Sequence, residues 1–213
     1  MRAQHIEFTS EKIGLSMKEA LKNIADIRTG HQVRGRLEHN PAGSHRIILL
    51  RHVNGDGLAP PETFTRFSPR KVLPHHFAVP GMVLLKARGD VYTACCVHSA
   101  PDDALVSSYY YMLTPHNSRI QPAYLAWYLN TAPVQAYLRS SVQGTNTPLL
   151  PKAAVESLML EIPPTAVQDR ISRLAALRRR ERRLQMELDA KRDTLIQALC
   201  LEAARNGTMK GPA

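Results

Sequence analysis

The chain has 213 residues, 44% of them hydrophobic, with three cysteines and a formal net charge of +10. That is enough apolar material for a real core, and it excludes both a disordered polyelectrolyte and a disulfide-stapled miniature fold. The charge favours a polyanionic partner, nucleic acid ahead of an anionic membrane, because clustered Lys and Arg gain by displacing counterions from phosphates. The start, "MRAQHIEFTSEKIG", lacks a signal-peptide core, and no apolar run approaches the roughly 18 residues of a membrane span, so a cytoplasmic location is expected. Cys95 and Cys96 are adjacent and Cys200 is distant, a spacing that offers no zinc site and reads as buried or incidental thiols.

In chain order, Ser16 followed by Glu19 has the capping-box form and predicts a short helix that stops before Thr29 and Gly30. Residues 28 to 88 then hold ten basic side chains against three acidic ones. Gly, Pro, Asn and Ser punctuate this stretch between short strand-like runs such as "RIILLRHV", which places its cations on strand ends and loops. Such loops suit binding, while a merely solubilising basic surface is the alternative. "PGMVLLKARGDVYTACCVHSA" predicts two strands, Met82 to Lys86 and Val91 to Val97, turning at Arg88-Gly89. "PAYLAWYLNTAPVQAYLRSSVQG" predicts two helices, the first with Tyr124, Leu125, Tyr128 and Leu129 on a core face, the second running from Pro133 to near Gly144. "LPKAAVESLMLEIPP" gives a short helix, a strand Met159 to Ile162, and a proline pair that stops it.

From Thr165 about 40 residues run without Gly or Pro, far beyond an ordinary helix. Thr165 and Gln168 have the capping-box spacing. Leu177, Leu184, Leu188, Leu195 and Leu199 recur at spacings of seven, four, seven and four, and Ile171 and Leu174 are taken to extend the stripe upstream. An 11-residue period keeps one face apolar with little supercoil, and that face must be covered by another helix. The run "ALRRRERRLQMEL" carries five arginines in six residues, yet a turn of about 100° per residue sends Arg179, Arg182 and Arg183 to the far side of the stripe. Asp169 with Arg173, and Glu187 with Lys191, are spaced as i,i+4 pairs of a solvated face.

Catalytic signatures are missing. There is no phosphate-binding G-x-x-x-x-G-K-[ST] loop, and neither Pro60-Pro61 nor Pro163-Pro164 has the flanks of an adenine methyltransferase element. Asp102 and Asp103 read as a turn, and His75 and His76 would alternate sides on a strand and not share a metal. The expectation is a non-enzymatic protein without metal or cofactor.

The ordered set "IADIRTG", "PGMVLLKARG", "QPAYLAWYLNTAPVQAYL", "VQGTNTPLLPKAAVESLMLEIPPTAVQDRI" and a long helix resembles the DNA-specificity (S) subunits of type I restriction-modification systems, over residues from about 12 to 202. The resemblance implies an α/β (α+β) target-recognition domain, residues 1 to 164, followed by a long coiled-coil-type helix, 165 to 204, and a short tail, 205 to 213. It implies double-stranded DNA and a methyltransferase (M) subunit as partners, with a restriction (R) subunit as a candidate third component, in antiviral defence. With one recognition domain and one long helix the chain looks like a half-size subunit. A two-fold homodimer through Ile171, Leu174, Leu177, Leu184, Leu188, Leu195 and Leu199 would supply the second half-site reader. Arg179, Arg182 and Arg183 then face a docking partner.

For DNA the candidates are Arg34, Arg36, Arg70, Lys71 and Arg88, with His75 and His76 beside them, because Arg and Lys serve phosphates and base edges. Gln143, Thr145 and Asn146, around Gly144, either touch DNA or satisfy their own turn. Thr29 and Gly30 are read as backbone architecture. A non-catalytic scaffold or regulator of a methyltransferase or antiviral complex, with weak nonspecific DNA binding, is the alternative. An RNA module is disfavoured because no aromatic RNP-like strand is present.

Overall fold

The computed structural model describes residues 17–33, 35–55, 57–116, 118–142 and 149–206. Its first described element is strand β1, Met17–Ala20, where the capping-box spacing predicted a helix. Tertiary pairing overrides the local signal: β1 runs antiparallel to β11, Met159–Ile162, with Met17 opposite Ile162 and Ala20 opposite Met159. A short 3-10 turn, Leu21–Asn23, follows, fixed by the Leu21 N–H on the Leu158 carbonyl at 2.9 Å.

A four-stranded antiparallel sheet forms the centre, in the order β2 (Ala25–Thr29), β10 (Tyr110–Pro115), β7 (Val83–Lys86), β8 (Ala94–Cys96). The expected pair of strands around Gly89 is present with shorter bounds, and Gly89 takes a φ of 105° that other residues rarely adopt. Both faces are buried, and the side-chain alternation of a strand divides them. Val83, Leu85, Tyr111 and Leu113 face one core with helices α1 (Pro122–Leu129) and α2 (Ala132–Ser140) and the short α3 (Lys152–Glu156). Leu84, Tyr110 and Met112 face a second core with Ile48, Val53, Phe64 and Val106.

That second core is closed by a three-stranded sheet in the order β6 (Thr65–Phe67), β3 (His45–Ile48), β9 (Ala104–Val106), in which β3 and β9 are parallel, and by the small hairpin β4 (Val53–Asn54) and β5 (Gly57–Leu58). The outer face of the three-stranded sheet carries a third, smaller cluster of Ile47, Phe67 and Leu105.

Side-chain amides finish what the strands leave open. Strand β8 is at a sheet edge, and Asn130 covers it by accepting from the Ala94 N–H (3.0 Å) and donating to the Ala94 carbonyl (2.7 Å). Gln135 does the same for Tyr92, at 3.2 and 2.8 Å, so the edge offers no free ladder there. The aromatic residues of α1 are core, as their helical spacing predicts: Tyr124 is buried, and Trp127 and Tyr128 pack against the same cluster.

The long helix α4 spans Thr165–Asn206, 42 residues, or about 63 Å at 1.5 Å per residue. Gln168 is not the capping residue its spacing suggested. It is fully buried, accepts from the Gln121 N–H (2.8 Å) and donates to the carbonyls of Arg119 (2.6 Å) and Pro163 (2.8 Å). The chain divides into two compact units, Met1–Ser172 and Arg173–Ala213. In the first, Ile171 packs against the helix-side core, and it lies about 120° round the helix from Leu177, off the leucine stripe. In the second, Leu174, Leu177, Leu184, Leu188, Leu195 and Leu199 are all exposed. Glu187 pairs with Arg183 (3.9 Å), one turn before the Lys191 its spacing suggested.

Gly30 is set against the backbone of the turn that follows β9. A Cβ there would lie 2.2 Å from the Val106 carbonyl oxygen and 2.4 Å from that of Ser107, and backbone cannot give way cheaply. We expect Gly30→Ala to lower stability by about 2 kcal/mol and the melting temperature by roughly 4 to 8 °C, read by thermal denaturation. An unchanged melt would show that the two segments do not need this approach.

Candidate nucleic-acid interface

The irregular basic segments fold onto the outer face of the three-stranded sheet, held by apolar residues set between the cations. Val33 and Leu37 bracket Arg36, and Phe67 and Val72 bracket Arg70 and Lys71; all four apolar residues belong to the cluster around Ile47 and Leu105. Burying those anchors leaves Arg36, Arg70 and Lys71 exposed. The two segments enclose a cleft of about 1000 Å³ lined by residues including His31, Arg36, Phe67, Arg70, Lys71 and His76. Glu38 is the one carboxylate among the described lining residues.

The arginines of the basic segment divide by what they already hold. Arg46 (2.5 Å) and Arg66 (3.7 Å) share Asp103, and Arg66 also donates to the Gly43 carbonyl through Nε (3.2 Å) and Nη2 (2.9 Å). Arg51 donates to the Thr65 hydroxyl, and Arg28 lies 3.7 Å from Asp26. Asp103, read from the sequence as part of a turn, is thus also the counter-ion that ties β3 to β6. Arg36, Arg70 and Lys71 have no ion-pair partner among the described residues, so their charge is available to a ligand.

Of the ten residues expected to touch DNA, four line the cleft: Arg36, Arg70, Lys71 and His76. His75 is exposed beside it, its ring 4.5 Å from that of His76 on the 3-10 turn Pro74–His76. Arg88 is not among the lining residues; it stands past the end of β7 with its guanidinium 5.1 Å from the Tyr109 ring centre. Arg34, Gln143, Thr145 and Asn146 lie outside the described residues. Sequence reasoning missed His31, which is buried in the cleft wall with its Nδ1 3.4 Å from that of His76. The available signal was its position directly after Gly30.

Burial lowers the pKa of His31 and of His76, and their imidazole neighbours, His45 for the first and His75 and His31 for the second, lower them further. His52, buried under the second core, is lowered by desolvation and then by Arg51, and its Nδ1 accepts from the Leu49 N–H at 3.1 Å. No group of three His, Cys, Asp or Glu able to hold a metal occurs among the described residues.

No family model matches the sequence, and no curated protein does. Solved structures do match. A chain of a type I restriction-modification (R-M) system, from a study of its complex assembly and conformational transition, has a TM-score of 0.60 at 18% identity, with 89% of this chain and 46% of that one covered. The S subunit of the type I system from M. genitalium has a TM-score of 0.57 at 11% identity, with 88% and 45% covered. The HsdS subunit from Thermoanaerobacter tengcongensis has a TM-score of 0.53 at 18% identity, with 87% and 41% covered. The fold is that of type I specificity subunits. This chain spans less than half the length of each structure it matches.

The depressed histidines set a pH dependence with a definite sign. Stability from keeping His31, His52 and His76 neutral is complete above the ordinary value of 6.5 and is lost as pH falls through their lower folded values. We expect the melting temperature to fall as pH is lowered below about 6.5, and the fall to flatten when His31 and His76 are both replaced by Gln. An equal decline in the double variant would assign the effect to other groups.

Proposed function

We propose that this chain is a DNA-specificity module of a type I restriction-modification methyltransferase complex, reading one half-site per chain and acting as a homodimer. The observation that carries the reading is a cleft with three unpaired cations on a fold shared with type I specificity subunits. A cleft lined by Arg36, Arg70 and Lys71 suits a phosphate backbone, with His31 and His76 adding charge when an anion favours their protonation. The chain itself carries out no chemistry in this reading and holds no cofactor; methylation belongs to an M subunit, and a restriction subunit is a further component of such complexes.

The leucine stripe supports self-association. Leu174, Leu177, Leu184, Leu188, Leu195 and Leu199 are between 43% and 69% exposed, which is costly for a row of large apolar side chains left in water. A second copy packed antiparallel covers the stripe and sets two identical readers in two-fold relation. Ile171, taken from the sequence as part of this seam, is assigned instead to the core of its own domain. Arg182 and Arg183 are exposed and Arg179 half-buried, all three turned away from the leucines, where they suit docking of an M subunit.

Two measurements test the reading together. Sedimentation of the purified chain is expected to give a dimer that Leu184→Lys with Leu188→Lys converts to a monomer. Duplex binding measured against salt is expected to show a slope shallower by roughly 2 to 3 for the combined Arg36→Ala, Arg70→Ala and Lys71→Ala variant. A monomeric wild type contradicts the dimer. A slope unmoved by the triple variant contradicts the cleft.

A further inference from the structure

The cleft does not stop at its lining residues. At its rim the backbone forms a continuous row: the His31 N–H bonds the Val106 carbonyl (2.6 Å), and the Ser108 N–H bonds the His31 carbonyl (2.8 Å). The Ala87 N–H then bonds the Tyr109 carbonyl (2.8 Å), and the Leu150 N–H bonds the Ala87 carbonyl (2.8 Å). Ser108 lines the cleft, and Tyr109, the next residue, is 42% exposed with Arg88 over its ring at 5.1 Å. Beyond Arg88 its bridge partner Leu149 is 51% exposed.

Arg88 is only partly exposed, and its Nε is buried with no hydrogen-bond partner among the described residues. No carboxylate pairs with it among those residues either, so the ring is what orients the guanidinium. The side chain is partly exposed and carries its charge without an internal counter-ion among the described residues, so an external anion can pair with it. Adjacent strands lie about 4.8 Å apart, so the pair stands one or two rungs from the cleft, within reach of a neighbouring nucleotide at about 3.4 Å of rise.

We propose that Arg88 and Tyr109 form a second nucleic-acid contact continuous with the cleft, in which Arg88 binds a backbone phosphate and Tyr109 is the positioning residue that holds the guanidinium in place. The contact rests on the reading of the cleft as a duplex-binding face and extends it by a residue, Tyr109, that no motif marks. A protein partner would also suit an exposed Tyr beside an Arg, but the unbroken row from a cation-lined cleft and the missing internal anion favour phosphate.

The test is duplex affinity of the full chain against salt, with a melt of each variant. Arg88→Gln is expected to make the slope shallower by about 0.9, while Arg88→Lys keeps the slope at reduced affinity. Tyr109→Ala is expected to weaken binding roughly two- to fivefold and Tyr109→Phe to match the wild type, since the ring and not the hydroxyl holds the cation. An unmoved slope in an Arg88→Gln chain that melts with the wild type overturns the contact, and weakened self-association in its place would assign the pair to a protein interface. If the cleft variant loses slope and the Arg88 variants do not, only this proposal fails. If the wild type binds no duplex, both fall.

Discussion

At Gly30 the chain leaves the four-stranded sheet and is captured by the three-stranded one, with the Gly30 N–H still on the Tyr110 carbonyl (3.4 Å) and the His31 N–H already on that of Val106. The chain crosses back between the same two sheets a few residues away, at Ser107 to Tyr109. The two crossings touch where only a hydrogen atom fits on the Gly30 Cα. His31, Ser108 and Tyr109 are delivered to one edge by that contact, and Arg88 is joined to them through the Ala87 to Tyr109 hydrogen bond. A basic surface is common in a chain of this charge; a basic surface of fixed shape needs such a crossing.

The second organising effect is a separation of charge by packing. In the segments flanking the cleft, apolar side chains alternate irregularly with cations, and burying Val33, Leu37, Phe67 and Val72 on the outer sheet face turns the remaining side chains outward. Cations that meet Asp103 are held in place inside the fold: Arg46 and Arg66 share that one carboxylate and tie β3 to β6. Arg36, Arg70 and Lys71 meet no such partner among the described residues and line the cleft together.

Much of this was legible in the sequence where the signal is local and repeated. The two helices of "PAYLAWYLNTAPVQAYL", the strand Met159–Ile162 before its proline pair, and the long helix each carry a periodicity or a breaker that no distant contact contradicts. The failures share one cause. Met17–Ala20 satisfied a capping pattern yet became a strand because β11, more than a hundred residues away, pairs with it. Gln168 satisfied another, yet its amide is used by Arg119, Pro163 and Gln121. Ile171 falls near the leucine stripe in sequence and packs, partly buried, against the helix-side core. The cleft was legible as a charge excess and, at Arg36, Arg70, Lys71 and His76, as candidate residues, but not as a shape, because which arginine meets Asp103 is decided by strand pairing that adjacent residues do not encode.

The exposed leucines of α4 and the globular domain bear on the same question in the proposed reading, since one half-site reader would gain specificity if a second were fixed at a set distance from it. A seam made by two copies of one helix relates its domains by a two-fold axis and gives both ends the same reader. Selection of bound duplexes from a random pool by the full chain measures this most directly. A two-fold dimer predicts an interrupted palindrome with a constant spacer; two unrelated half-sites, or one half-site with no fixed spacing, would contradict it.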